Sequence, residues 1–176
     1  ASSGRAQNSF MLAPDYNALP GTQPFSAILP TPFGALGIMT GSQYLLEIVF
    51  LPGGETTPTP SDPIAEKAVL QLKRYLDDPA YRFDLPLAPR GSPFRRRTWA
   101  AISEIPLGET RTYSQLANAV GSIPRAVGQA CGDNPFPIVI PCHRVIAANG
   151  LGGFAHHAGG LLIDTKRWLL RHEGVV

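Results

Sequence analysis

All four histidines and both cysteines of this 176-residue chain fall between residues 131 and 172. Within that stretch Cys142 is followed directly by His143 and Arg144. Cysteine attacks as the thiolate, and its ordinary pKa of ~8.5 falls when a His or Arg stands nearby. These neighbours therefore predict a nucleophilic Cys142 held ionised. Adjacent strand residues point to opposite faces, so a direct Cys–His contact needs a turn here or a bridging water. A histidine acting as base also needs an orienting partner. Glu173 ends the last predicted helix, where the dipole disfavours an anion by roughly a few tenths of a kcal/mol. Its position makes more sense if it holds a histidine N–H. Cys131 has no ionisable neighbour nearer than Asp133 and reads as an inert cysteine. His156-His157 has no Cys or acid at ligand spacing and reads as a pair of loop imidazoles, so no metal and no cofactor is expected.

The surrounding elements must deliver these groups. Pro135, Pro137 and Pro141 exclude helix before Cys142, and Ile138-Val139-Ile140 predicts a buried strand that carries the cysteine to a fixed place. Upstream, Thr112-Tyr113-Ser114-Gln115 matches a capping box that opens a helix ending at Gly121. Ser122-Ile123-Pro124-Arg125 opens a second helix, with Ser122 as cap, which ends at Gly132. Two short helices across a tight turn predict a helix-turn-helix. Before them, apolar positions 94, 99, 102 and 105 give a helix that Pro106 ends, with Arg95-Arg96-Arg97 on its exposed side. The last helix runs from about residue 164 or 165 to Glu173, with Trp168 and Leu169 on its apolar side, and stops at Gly174.

In the first half, residues 1–32 are loop-rich. Residues 35–39 and 44–50 read as strands around a Gly41-Ser42 turn. Apolar positions 64, 65, 68, 69, 72 and 76 have helical spacing. Residues 81–83 are sheet-compatible, and the proline-punctuated stretch that follows reads as a linker. The expected organisation is therefore a domain at 1–89 and another at 90–176.

Composition limits the function classes. The chain is 44% hydrophobic and 16% charged, with no apolar run near the ~20 residues of a membrane span. Two cysteines are too few for a disulfide-stapled secreted module, and the first residues lack a signal-peptide pattern. The expectation is a soluble protein that is not secreted. Residues 1–89 carry five Lys/Arg and eight Asp/Glu, whereas residues 90–176 carry ten and five. The basic half is the reactive half, which points to a polyanion partner.

Pro141-Cys142-His143-Arg144-Val145 resembles the signature of the O6-alkylguanine-DNA alkyltransferases. So do Arg125-Ala126-Val127-Gly128, Asn134-Pro135 and Trp168-Leu169-Leu170-Arg171-His172-Glu173-Gly174. The resemblance covers residues 90–174 closely and the first half only in general layout. It implies an α/β (α+β) protein, with a small ribonuclease-H-like sheet-plus-helix domain ahead of a mostly helical one bearing the helix-turn-helix. It also implies single-turnover transfer of an alkyl group from O6-alkylguanine in double-stranded DNA, with O4-alkylthymine a candidate second substrate, to Cys142. The protein would act as a monomer, in the cytoplasm at the nucleoid of a bacterium or in the nucleus of a eukaryote.

By the same resemblance, His143 deprotonates Cys142 through a water, Glu173 orients His143, and Asn134 fixes the turn between the DNA-binding helix and the cysteine. Arg125 enters the duplex from the minor groove, and Ala126, Gly128 and Arg144 also contact DNA. Tyr113, Val145 and Phe154 line the site of the flipped base. The segment from Gly152 to Asp164 is longer than the family's usual link, with Phe154 standing where a Tyr is usual and Ala155 or Ala158 beside the O6 atom. Three rivals remain on the residues alone: a lesion-binding, non-reactive relative (such relatives lack the cysteine), a sequence-specific helix-turn-helix regulator and a cysteine hydrolase that turns over repeatedly.

Overall fold

The structure is a computed structural model that describes residues 25–54, 60–153 and 161–175. The chain forms two compact units, Ala1–Ala88 and Pro89–Val176. Among the described residues it is a mixed α/β protein with a small antiparallel sheet and five α-helices.

In the first unit β1 (Ala27–Thr31), β2 (Gly34–Thr40) and β3 (Leu45–Leu51) form an antiparallel meander with β2 central. β1 lies in the stretch read as loop from its prolines. It is an edge strand, where Pro30 removes an N–H that the ladder does not need on its open side. The expected turn between β2 and β3 closes with the Gly41 N–H on Tyr44 O at 2.9 Å. Helix α1 (Pro63–Asp77) starts at Asp62, whose Oδ1 accepts from Ala65 N–H and whose Oδ2 accepts from Thr40 Oγ1. This ties the helix start to β2. Its inward stripe of Ala65, Ala68, Leu72 and Tyr75 packs on the sheet with Leu36, Ile38, Ile48 and Val49 in the core. Residues 81–83, read as sheet-compatible, are irregular. The Gln71 side chain takes up the backbone of Asp84 beside them, at 2.9 and 2.8 Å.

The second unit is built on α2 (Pro93–Ser103), α3 (Tyr113–Val120), α4 (Pro124–Gly132) and α5 (Leu161–His172). Short parallel strands β4 (Arg111–Thr112) and β5 (Val145–Ile146) pair the start of α3 with the segment after Arg144. Trp99 of α2 is buried and donates its indole N–H to Ala130 O of α4 at 2.8 Å. Three local expectations are corrected here. Arg95 is not on a wholly solvated face, because its guanidinium pairs with the fully buried Asp133 carboxylate. Helix α4 is capped from Ile123 rather than Ser122, with no side-chain cap bond. Helix α5 starts at Leu161, ahead of the expected 164 or 165.

Candidate active site

Helix α3 opens with the expected capping box: Gln115 N–H donates to Thr112 Oγ1 at 3.1 Å and Thr112 N–H to Gln115 Oε1 at 2.8 Å. It closes on Gly121 in the left-handed region, φ 70°. Three residues later α4 begins with Pro124 and Arg125, and it ends beside the cysteine segment. Asn134 makes the junction. Its Nδ2 donates to Ile140 O at 2.9 Å and to Cys142 Sγ at 3.2 Å, and its Oδ1 accepts from Phe136 N–H at 2.9 Å.

The expected strand over 138–140 is absent. The chain makes a tight turn that Asn134 bridges from within, between paired positions Pro137 and Ile140. Ile138 sits at φ 75°, a strained conformation for a β-branched residue. Apolar composition is what buries this turn, with Phe136 and Ile138 in the core. A 3-10 turn (Cys142–Arg144) follows and feeds β5.

That turn separates Cys142 from His143. His143 is fully buried and its Nε2 lies 2.8 Å from Glu173 Oε2, as expected of an orienting acid. The carboxylate accepts at Nε2, so the ring's basic atom is Nδ1, which is buried and has no hydrogen-bond partner in the protein. No direct Cys–His hydrogen bond is therefore made. Burial pushes His143 below its ordinary pKa, against the opposing pull of Glu173. Burial likewise pushes the Cys142 thiol well up, helped by contact with Cys131, while the Asn134 donor and the Lys166 charge act the other way. The neighbours expected to ionise the thiol are thus opposed by its burial.

Arg144 is turned into the unit. Its Nε and Nη2 donate to Glu173 at 2.8 and 3.1 Å, its Nη1 donates to Ile105 O at 2.7 Å, and its side chain is only 13% exposed. Three of its five N–H groups are thus engaged inside the unit.

Two residues that sequence reasoning passed over stand here. Lys166 is fully buried, and its ammonium donates to the carbonyls of Val145 (2.7 Å), Leu151 (2.6 Å) and Gly153 (2.9 Å). Burial lowers its pKa to about 8. It falls on the inward stripe of α5 with Ile163, Leu169 and Leu170, and Glu173 follows the helix directly. A cation at core spacing was the available signal. Cys131, read as inert, lies in the last turn of α4 against Cys142 and gives its carbonyl to Asn134 N–H at 3.3 Å.

Tyr113 is half-buried, with the Lys166 ammonium 6.0 Å from its ring centroid and its hydroxyl donating to Gly153 O at 3.3 Å. Burial raises its pKa. Gly152, at φ 71°, packs so closely that a Cβ there would sit 2.9 Å from the Tyr113 ring. Val145 is fully buried. Cys142, His143, Glu173, Asn134, Tyr113 and Val145 are thus brought to one region. Arg125, exposed, and Ala126 and Gly128, half-buried, lie toward the other end of α4, where a Cβ on Gly128 would meet open space. Phe154, Ala155, His156, His157 and Ala158 lie outside the described residues. Among the described residues, no cluster of His, Cys, Asp and Glu could hold a metal ion and no helix is long and apolar enough to cross a membrane.

Comparison with known proteins converges on one family. Residues 93–175 match the family model described as 6-O-methylguanine DNA methyltransferase, DNA binding domain. A methylated-DNA–protein-cysteine methyltransferase of Methanosarcina acetivorans is 38% identical over 158 residues, covering 85% of this chain and 98% of the relative. One from Mycobacterium bovis is 40% identical over 151 residues, covering 84% and 88%. Among solved structures, Mycobacterium tuberculosis OGT in complex with DNA aligns with a TM-score of 0.70 at 38% identity, covering 83% of this chain and 90% of that one.

Proposed function

The chain belongs to the methylated-DNA–protein-cysteine methyltransferase family, and from that premise we propose that it repairs O6-alkylguanine in duplex DNA by moving the alkyl group onto Cys142. The observation that carries this reading is the thiol held by Asn134 Nδ2 beside a buried His143–Glu173 pair whose Nδ1 is unclaimed. In the reaction the S–C bond forms as the C–O6 bond breaks. The thiol proton passes to His143 through a water, and the guanine leaves with a proton in its turn. The sum is a thioether and an unmodified guanine. Nothing in this group of residues cleaves a thioether, so each molecule acts once.

Burial disfavours the Cys142 thiolate and the protonated His143 alike, and an unprotonated imidazole is the form that can accept the thiol proton. Lys166 and Asn134 then favour the developing thiolate. Tyr113, whose hydroxyl rests on Gly153 O, is read as turning that hydrogen bond to the guanine as it leaves.

Reaching the carbon requires extrusion of the nucleotide, at a cost of about a few kcal/mol. The α3–α4 pair is read as a helix-turn-helix that approaches from the minor groove, with Arg125 filling the vacated space. Ala126 and Gly128 are small enough to let the backbone come close. The first unit is read as ribonuclease-H-like, the protein as a monomer, and O4-alkylthymine as a second substrate. A sulfur acceptor that is never regenerated also separates this reading from a cysteine hydrolase.

The test is mass spectrometry after incubation with duplex DNA carrying O6-methylguanine. One methyl group should appear on Cys142 at a one-to-one limit, and Cys142→Ala should take up none while still binding DNA. The rate should hold from neutral pH to below pH ~6.5 and fall only as His143 protonates. A folded protein that stays unmodified, or that turns over repeatedly, refutes the assignment.

A further inference from the structure

The tip of the α3–α4 pair departs from the way this chain opens its other capped helices. Asp62, Ser92 and Thr112 each place a side-chain oxygen on a backbone N–H of the helix they begin. At α4 that position is Ile123, which makes no side-chain cap bond. Isoleucine is a poor N-cap because nothing on it accepts from the open N–H groups of the first turn. Ile123 is also 61% exposed, more than any other large hydrophobic residue among those described. A single exposed isoleucine is ordinary. One that also displaces a capping side chain is a local inconsistency of the kind that marks a functional position.

The backbone around it is firmly held. Gly121 and Ser122 both donate their N–H to Ala117 O, the latter at 2.9 Å. The Ile123 carbonyl accepts from Ala126 and Val127 N–H at 3.1 and 3.3 Å, and Pro124 fixes the next φ. The apolar side chain therefore projects from a rigid turn, beside exposed Pro124 and Arg125.

Resting on the reading of Arg125 as the residue that enters the duplex, we propose that Ile123 is a second, apolar wedge that lodges against the opened base step and holds it while the alkylated guanine is out of the stack. Unstacking bares an apolar base face, and apolar side chains are what minor-groove proteins insert at such steps. Arg125 brings charge to the gap, and Ile123 brings a dry contact that a guanidinium does not supply.

Ile123→Ser separates the wedge from the scaffold, because serine is among the best N-caps and should raise the melting temperature. On O6-methylguanine in duplex DNA, Ile123→Ser and Ile123→Ala should transfer about fivefold to tenfold more slowly than the parent. Ile123→Leu, which keeps the apolar body, should stay close to the parent. With the same lesion in a single-stranded oligonucleotide all three should match the parent, since no duplex step has to be held open. A more stable Ile123→Ser that repairs the duplex at the parental rate overturns the wedge, as does equal slowing on both substrates. A parent that alkylates Cys142 on neither substrate removes the repair reading and the wedge with it.

Discussion

Arg144 and Arg125 place the same side chain in opposite surroundings, one set inward against Glu173 and one exposed. Arg144 is spent on Glu173 and the Ile105 carbonyl, so Arg144→Met leaves a buried carboxylate short of its cation. It should cost about 3 kcal/mol of stability in urea titration. The salt dependence of DNA binding by the folded fraction should not change, whereas a lost phosphate contact would reduce the slope by about one. Arg125→Ala should leave stability within about 0.5 kcal/mol of the parent and slow repair more than it weakens DNA affinity. Competition binding and single-turnover transfer, measured side by side, distinguish the two. The reactive residues were legible because their chemistry is local: a Cys beside a His, and an acid at the wrong end of a helix. Lys166, Cys131 and the true partner of Arg144 were not, since each is defined by what folds against it. The burial that opposes ionisation of the thiol was not legible for the same reason: neighbours in sequence say nothing of desolvation.

Helices were legible where a capping side chain and a stopping glycine bracket them. Thr112 and Gln115 at one end of α3 and Gly121 at the other fix its limits. Thr112→Ala should therefore cost about 1 kcal/mol in thermal melts. Because Tyr113 is the first residue of that helix, the same variant should slow transfer more than it weakens DNA binding. Strands were read less well. β1 was hidden by Pro30, which an edge strand tolerates, and the triplet 138–140 has the composition of a strand yet folds as a turn. In that case side-chain hydrogen bonds from Asn134 and the flanking prolines override the apolar pattern. The uncapped start of α4 is the opposite case, a helix end that forgoes a capping side chain.

For the molecule as a whole, the division of charge follows the division of labour: the basic half carries both the α3–α4 pair and the cysteine. Global stability should in turn report the buried Lys166. Its pKa falls from the ordinary 10.5 to about 8 in the fold. Between those values the unfolded chain binds the extra proton, so this lysine makes stability rise with pH from about 8 to about 10.5, by at most ~1.4 kcal/mol per unit. Below pH 8 both states are protonated and its contribution is level. Urea midpoints across that range should climb for the parent, less the part that other groups contribute, and the Lys166→Met profile should lack that share. The chain has only three lysines, and Lys67 and Lys73 lie in the open on α1. An amine-acylating reagent would thus label those two at once. It would reach Lys166 only as often as residues 151–153 lift away from it, so a mass increment on one peptide would time the opening of that segment.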